Sequence, residues 1–291
     1  MSEQTLVTGH LDAKTDLRQQ ITQPMLYLFV TALVIIYSMP GIGVIITSFK
    51  DNREISREGL WSRPERLHID NYKEAWTEGN VKTYMLNSFK VTIPATVASI
   101  AAGVLAGYVL SKLPFPGSKF LFIFIVAGMF YPPQIVLVPL FRLFNDVGLY
   151  DTLWPMIIVH SAFGIPICTL LMRNFFATVP NALREAAIID GANEGQILVR
   201  VMLPLSLPAL AVLATLQFTW IWNDFLWPLI FTQSDDKRTI MVGLVTLKGQ
   251  YSVAWGVQGA MAVIASAPTL LIFIFFQRYF IRGLTLGAVK G

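Results

Sequence analysis

Charge is scarce in this chain. Only 14% of its 291 residues are Asp, Glu, Lys or Arg, while 54% are hydrophobic. A soluble domain carries about 25% charged residues to cover its surface, so a water-soluble globule is excluded. Cysteine is almost absent. Cys168 stands alone, which excludes an intramolecular disulfide framework and a cysteine metal cluster. No His/Asp/Glu spacing suits a metal, and no nucleophile elbow occurs. There is no G-x-x-x-x-G-K-[ST] run, so any nucleotide chemistry belongs to another polypeptide. The net charge of +4 and the pI near 9.2 come without a basic stripe interleaved with aromatics, which argues against nucleic acid. The first apolar run has no small-residue cleavage site after it and reads as an uncleaved anchor.

Long apolar runs are what the chain has. Its mean hydropathy is +0.58. A helix needs about 20 apolar residues to cross a hydrocarbon core of roughly 30 Å. Six runs qualify, over about 25–48, 89–111, 120–141, 153–172, 207–231 and 259–281. The expected fold is therefore an all-α integral membrane protein of six transmembrane helices, with both chain ends on one side of the membrane. Residues 1–24 are a polar tail, and residues 25–291 form one membrane domain. Pro132, Pro133 and Pro139 interrupt the third run, and Pro155 and Pro166 the fourth. Such breaks are tolerated where neighbouring helices satisfy the freed carbonyls. Tyr131-Pro132-Pro133-Gln134 is expected to bend the third span. The polar stretch 49–87 reads as a small cap of short helices, one starting at Asp70-Asn71-Tyr72. Ser234-Asp235-Asp236-Lys237 reads as a turn, and 239–247 is apolar enough to pack.

The polar segment between the fourth and fifth runs, about 173–204, has a different character. It contains Glu185-Ala186-Ala187, three further residues, Gly191, and later Leu203-Pro204. Asn181 starts a helix, and Gly191 can end it in a left-handed turn. Asn193 with Gln196 makes a capping-box pair for a second helix, which Pro204 closes. Ala186, Ala187 and Ala192 leave a low-profile surface. Glu185 and Asp190 flank it as anchors for a partner's cations or backbone amides. Two short helices at an angle, held out of the membrane, suit a docking element. On alanine, glycine and proline alone, an ordinary helical loop fits the stretch equally.

In the fifth run, Gln217, Trp220, Asp224 and Pro228 follow the i, i+3, i+7, i+11 spacing of one helical face. A polar stripe with an aromatic is a poor surface for lipid, so Gln217 and Trp220 are expected to line a pathway. Asn223 and Asp224 are included with them, although a structural role in fixing helix contacts is the stronger expectation for that pair. His160 reads as a hydrogen-bonded packing residue. An ion-coupled secondary transporter would need ionisable groups deep in several spans, and Asp224 is nearly alone. A membrane enzyme would need a constellation that His160, Cys168 and Asp224 do not form by spacing.

The pattern Glu-Ala-Ala, three residues, Gly, nine residues, Ile-x-Leu-Pro resembles the signature of the permease subunits of bacterial ABC importers. It matches here at Glu185, Ala186, Ala187, Gly191, Leu203 and Pro204, with Val201 where Ile is usual. Trp222-Asn223-Asp224-Phe225-Leu226-Trp227-Pro228 resembles the maltose-type sugar permeases, the smaller subunit of the pair. So do Gln277-Arg278-Tyr279-Phe280, Gly283-Leu284-Thr285 and the Gly287–Gly291 end. The resemblance implies the type I importer fold in the bacterial inner membrane, with both termini and the docking loop cytoplasmic. Lysine and arginine counts alone leave that orientation undecided. It implies a second homologous permease, two ATPase subunits that bind ATP and Mg, and an extracytoplasmic solute-binding protein. The chain itself would hold no cofactor and catalyse nothing. Gly287, Lys290 and Gly291 would reach along the ATPase pair. The implied solute is a sugar, glycoside or polyol derivative, with glycerol phosphate esters as an alternative.

Overall fold

A computed structural model describes the backbone of residues 3–246 and 254–288, and the side chains of 23–246 and 254–279. Among the described residues the structure is helical and contains no strand. In chain order the helices are α1 (Glu3–Ser48), α2 (Asn52–Glu58), α3 (Asp70–Thr77), α4 (Val81–Lys112), α5 (Ser118–Ala127), α6 (Leu137–Asp146) and α7 (Trp154–Thr178). They continue as α8 (Asn181–Ile189), α9 (Glu194–Ile197), α10 (Leu203–Leu205), α11 (Leu207–Trp222), α12 (Leu226–Phe231), α13 (Ile240–Thr246) and α14 (Trp255–Ala288).

Among the described residues four helices are long and apolar enough to cross a membrane: the Gln23–Ser48 part of α1, α4, α7, and the Trp255–Tyr279 part of α14. Two bent pairs of shorter helices also pass on length and composition when each pair is taken together. The third run turns by 87° between Ser118–Phe130 and Pro133–Asp146, at the expected Tyr131-Pro132 position. Two successive prolines remove two N–H donors and force an extended residue before each, so the helix cannot pass. The fourth run behaves differently. Pro155 occupies the first turn of α7, where its missing N–H leaves no bond unmade, and Pro166 is absorbed without ending the helix. The second bent pair, Glu194–Leu205 with Leu207–Trp222, turns by 79°. The turn falls at Ser206, one residue beyond Leu205. Pro204 sits inside α10 instead of closing the helix as expected, because it occupies the first turn of that element.

The centre of the bundle is the α4/α7 pair. Its contacts match Ser99 with Gly164, Gly103 with Cys168, and Gly107 with Met172 and Arg173. Numbers rise together on both helices, so the two run parallel. A Cβ on Gly107 would lie 2.7 Å from the Arg173 backbone nitrogen, and one on Gly164 would lie 2.6 Å from the Ser99 Cβ. Glycine therefore lets backbone touch backbone, which is how helices associate where lipid removes the hydrophobic drive. On one flank α11 closes the pair, and the indole N–H of Trp222 donates to the Ala265 carbonyl of α14 at 2.9 Å. On the other, Phe144 of α6 meets Phe231 of α12 edge-on at 5.2 Å. Most described apolar side chains of α1 are exposed, and its last turn meets α14 at Gly259, while Gly256 lies against the Lys50 carbonyl just beyond it.

The end of the bundle remote from α8 carries the expected cap. Asp51 caps α2 by accepting the Glu54 N–H. Asn71 donates to the Ser48 and Lys50 carbonyls, and the Ser48 and Tyr72 hydroxyls meet at 2.8 Å. The 235–237 turn is tied to α4 by the Tyr84 hydroxyl, which donates to Asp235, and by the Asn87 amide, which donates to the Asp236 and Arg238 carbonyls. Packing of α13 against this end places Gly243 on the ring of Tyr84. Of the expected packing stretch, Leu247 lies outside the described residues.

Gly107→Val should overpack the α4/α7 seam and cost about 1–3 kcal/mol. Thermal unfolding in detergent should show a clearly lowered midpoint. Gly41→Ala, where an added Cβ meets nothing within 4 Å, should not lower it.

Candidate functional site

The loop end of the bundle is built as two helices. Val179-Pro180 leads into α8, because the residue before proline is held extended. Gly191 turns the chain at φ +84°, the left-handed conformation that glycine adopts without a Cβ penalty. Its N–H donates to the Ile188 carbonyl. The Asn193 side chain accepts from the Gln196 N–H at 2.9 Å, and the Gln196 side chain accepts from the Asn193 N–H at 3.0 Å. Both halves of the expected capping box are present. A π turn over Leu198–Met202 then carries the chain to Leu203 and the Ser206 bend.

Burial divides the expected docking residues into two sets. Glu185, Ala186, Asp190, Gly191 and Pro204 are exposed. Ala187, Ala192 and Leu203 are partly buried and pack against the cluster of Phe176, Ile197, Met202 and Leu213. The three alanines therefore do not share one outward surface: only Ala186 faces out, because a helix of period 3.6 turns adjacent positions by 100°. Ile189 was missed by sequence reasoning. It is 85% exposed, and Leu183, Ile188 and Val199 are exposed as well. A pair of isoleucines beside Asp190 in an otherwise polar loop was the available signal. Glu185 and Asp190 thus border an aliphatic surface at the end of the bundle.

A polar network behind that surface was also missed. Arg184 of α8 forms a forked ion pair with Glu194 of α9: Nε lies 3.2 Å from Oε2, and Nη2 meets Oε1. The Tyr108 hydroxyl of α4 donates to the same Oε2 at 2.6 Å. One turn on, the Lys112 ammonium donates to the Val179 carbonyl at 2.6 Å and to Asn181 Oδ1 at 2.8 Å. The hydrogen bond from Arg184 holds the Glu194 carboxyl below its ordinary value of 4.5, against the opposing effect of burial, with help from Tyr108. The same bond raises Arg184.

The expected pathway residues are placed apart. α11 ends at Trp222, so the single face from Gln217 to Pro228 is interrupted. Gln217 is 6% exposed, with its amide 3.5 Å from the Gly164 carbonyl inside the chain. Trp220 is 74% exposed. Asn223 is exposed and donates to the Thr219 carbonyl at 2.8 Å. Asp224 bridges the break: its oxygens accept the N–H groups of Leu226 and Trp227, each at 3.2 Å, and start α12. Oδ2 also lies 3.3 Å from Nε2 of buried His160. Spacing along the chain did not bring His160 and Asp224 together, because their separation is closed only by α7 packing against the α11/α12 break. Cys168 stays apart from them, buried in the α4/α7 seam. Gly287 lies in the last turns of α14, and Lys290 and Gly291 lie outside the described residues. An apolar groove of about 400 Å³ between α4, α11 and α14 includes Phe89, Ile93, Val97, Phe218 and Phe275, with Thr96 as its one polar side chain. Its lining is otherwise apolar. Among the described residues no group of His, Cys, Asp or Glu could hold a metal ion.

Residues 99–286 match the family model described as "Binding-protein-dependent transport system inner membrane component". The matched stretch runs from Ser99 in the seam through the whole α8–α10 element to α14. A probable ABC transporter permease protein of Bacillus subtilis (strain 168), YurM, is 32% identical over 284 residues, covering 97% of this chain and 94% of the relative. The arabinooligosaccharides transport system permease protein AraQ of Halalkalibacterium halodurans is 36% identical over 255 residues, covering 87% and 91%. A crystal structure of a bacterial ABC transporter involved in import of the acidic polysaccharide alginate has a similar fold. Its TM-score is 0.78 at 24% identity, covering 90% of this chain and 97% of that one.

Because Glu194 is held below its ordinary value in the folded state, it contributes stability that is present above 4.5 and lost as pH falls through the lowered folded value. Amide exchange over residues 181–205 should therefore quicken as pH drops below that range, after correction for intrinsic exchange. In Glu194→Gln the loop should already exchange faster at neutral pH, and the acid-dependent step should vanish.

Proposed function

The chain belongs to the family of binding-protein-dependent transport system inner membrane components, and from that premise we propose that α8–α10 is the element by which a partner ATPase drives it. The chain is the permease of an ABC importer and has no catalytic role of its own. The observation that carries the proposal is the exposed surface of Ile189, Glu185 and Asp190 at one end of an apolar bundle. An isoleucine 85% exposed on a polar loop outside the membrane would gain from burial against another protein. Glu185 and Asp190 add charge complementarity at its rim. Leu203 and Pro204 form the short helix that leads into the Ser206 bend before α11.

In this reading residues 1–24 are a tail outside the membrane, 25–291 the transmembrane domain, 173–204 the coupling loop and 283–291 a terminal extension toward the ATPase pair through Gly287, Lys290 and Gly291. Both termini are cytoplasmic, on the side of α8. The assembly comprises a second homologous permease, two ATPase subunits that bind ATP and Mg, and an extracytoplasmic binding protein. Closure of the ATPase pair moves the docked loops. The spans then pass between inward- and outward-facing states, two arrangements of packed helices that the nucleotide biases.

The solute is a sugar, glycoside or polyol derivative. Relatives named for arabinooligosaccharides and alpha-glucosides support that class. Trp220 and Asn223, exposed on one side of the α11 end, are the side chains suited to it. An indole face covers the apolar side of a sugar ring, and an amide bonds its hydroxyls. Gln217 serves the pathway indirectly, by fixing α11 against Gly164 of α7.

Replacing Gly191 by Val forces a β-branched residue into the left-handed region, at roughly 1–2 kcal/mol. Binding of the ATPase pair in pull-downs and solute uptake should both fall, while membrane insertion persists. Normal uptake by an intact complex would show that the loop is not the handle. In a Cys168→Ala background, Trp220→Cys should react with a small polar thiol reagent at a rate that depends on the nucleotide state. Protection in every state, with uptake unchanged, would assign position 220 to buried packing between subunits.

A further inference from the structure

We propose that Tyr108 and Lys112 make α4 the receiver of motion from the coupling loop, with the Tyr108–Glu194–Arg184 triad as the positioning element that keeps α8, α9 and α4 in register. The proposal rests on the docking function of α8 given above and adds the route by which a pull on α8 reaches the spans. None of the nine residues of α8 is buried. Apolar packing therefore holds this helix weakly, through Ala187 and little else that lies inward. What fixes it is polar. At its start, Asn181 and the preceding Val179 carbonyl take the Lys112 ammonium; near its middle, Arg184 is forked onto Glu194, which also accepts from Tyr108.

Tyr108 and Lys112 are four residues apart and so lie on one face of α4. They grip the element at two points, on either side of the Gly191 turn. Two directional attachments suppress both sliding and rotation, which small apolar contacts would permit. Lys112 is 8% exposed, and both oxygens it bonds are neutral. A buried ammonium is costly to leave without its hydrogen bonds, so this attachment resists displacement. Beyond the grip, α4 cannot slip past α7. Gly103 and Gly107 seat its backbone directly on Cys168, Met172 and Arg173, within about a turn and a half of Tyr108. The ring of Tyr108 also meets Phe176 of α7 edge-on at 5.8 Å. A displacement of α8 thus becomes a displacement of α4 and α7 together.

The test uses the complete transporter reconstituted in proteoliposomes with its binding protein. Tyr108→Phe removes one hydroxyl and leaves the ring on Phe176. The expected result is an assembled complex, by pull-down of the ATPase subunits, whose solute uptake per ATP hydrolysed falls several-fold, on the order of five. Glu194→Gln should lower the same ratio, and serves if Tyr108→Phe does not fold. The Arg184→Glu/Glu194→Arg double variant should recover part of the ratio lost in either charge reversal alone. An uptake-to-ATP ratio unchanged in both Tyr108→Phe and Glu194→Gln overturns the proposal, as does a double variant no better than the single ones. Failure of the docking function itself would appear elsewhere, as ATPase binding that is indifferent to Gly191→Val.

Discussion

Backbone-to-backbone contact between α4 and α7 is the constraint on which the remaining structure depends. In hydrocarbon, apolar side chains gain little by leaving lipid for one another, so close van der Waals contact and internal hydrogen bonds must hold helices together. Ser99, Gly103 and Gly107 repeat every four residues on α4 and meet Gly164, Cys168 and Met172 on α7. That register fixes α4 and α7 as one parallel unit. It places Tyr108 and Lys112 at one end beside α8, and Asn87 and Ser88 at the other beside the 235–240 turn.

Around this unit the chain is broken at two places, one made by prolines and one secured by a carboxylate. The α5/α6 span turns at Pro132-Pro133. The α11/α12 span pauses at Asn223-Asp224, where the Asp224 carboxylate takes two N–H groups that the interruption leaves free. Non-helical backbone at membrane depth survives only where protein covers it or water reaches it. Asp224 meets that condition by lying against His160 of α7. Trp220 and Asn223 are exposed beside the same break.

The loop end and the cap end are secured by the same means, a carboxylate with several donors. Glu194 collects Arg184 and Tyr108. Asp151, at φ +58°, accepts the N–H groups of Gln233 and Ser234 and the Ser234 hydroxyl. Burial raises its carboxyl, but those bonds outweigh it and hold the group below its ordinary value. Each such node joins elements that the membrane core alone would leave to slide. A mechanical device needs that stiffness if a pull at one end is to be felt across the bundle.

Six apolar runs, the Pro132-Pro133 bend, the Gly191 turn and the Asn193–Gln196 capping box were legible in the sequence. Each is set by interactions within a few residues: hydropathy over a window, a missing N–H, a left-handed φ, a reciprocal cap. The exposed set of Glu185, Ala186 and Asp190 also follows from one short amphipathic helix. Tertiary structure decided the rest. Arg184, Glu194, Tyr108 and Lys112 look like ordinary loop and span-end residues until α4 delivers two donors to a loop about 70 to 85 positions later. His160 and Asp224 meet only because α7 packs on a break in the fifth span, and Gln217 is buried on Gly164 while Trp220, three residues on in the same helix, is exposed. Local sequence determines where a helix starts, turns and stops, because those energies are local. Which side chains face each other across helices is determined by where glycine allows two backbones to touch, and that contact exists only in three dimensions.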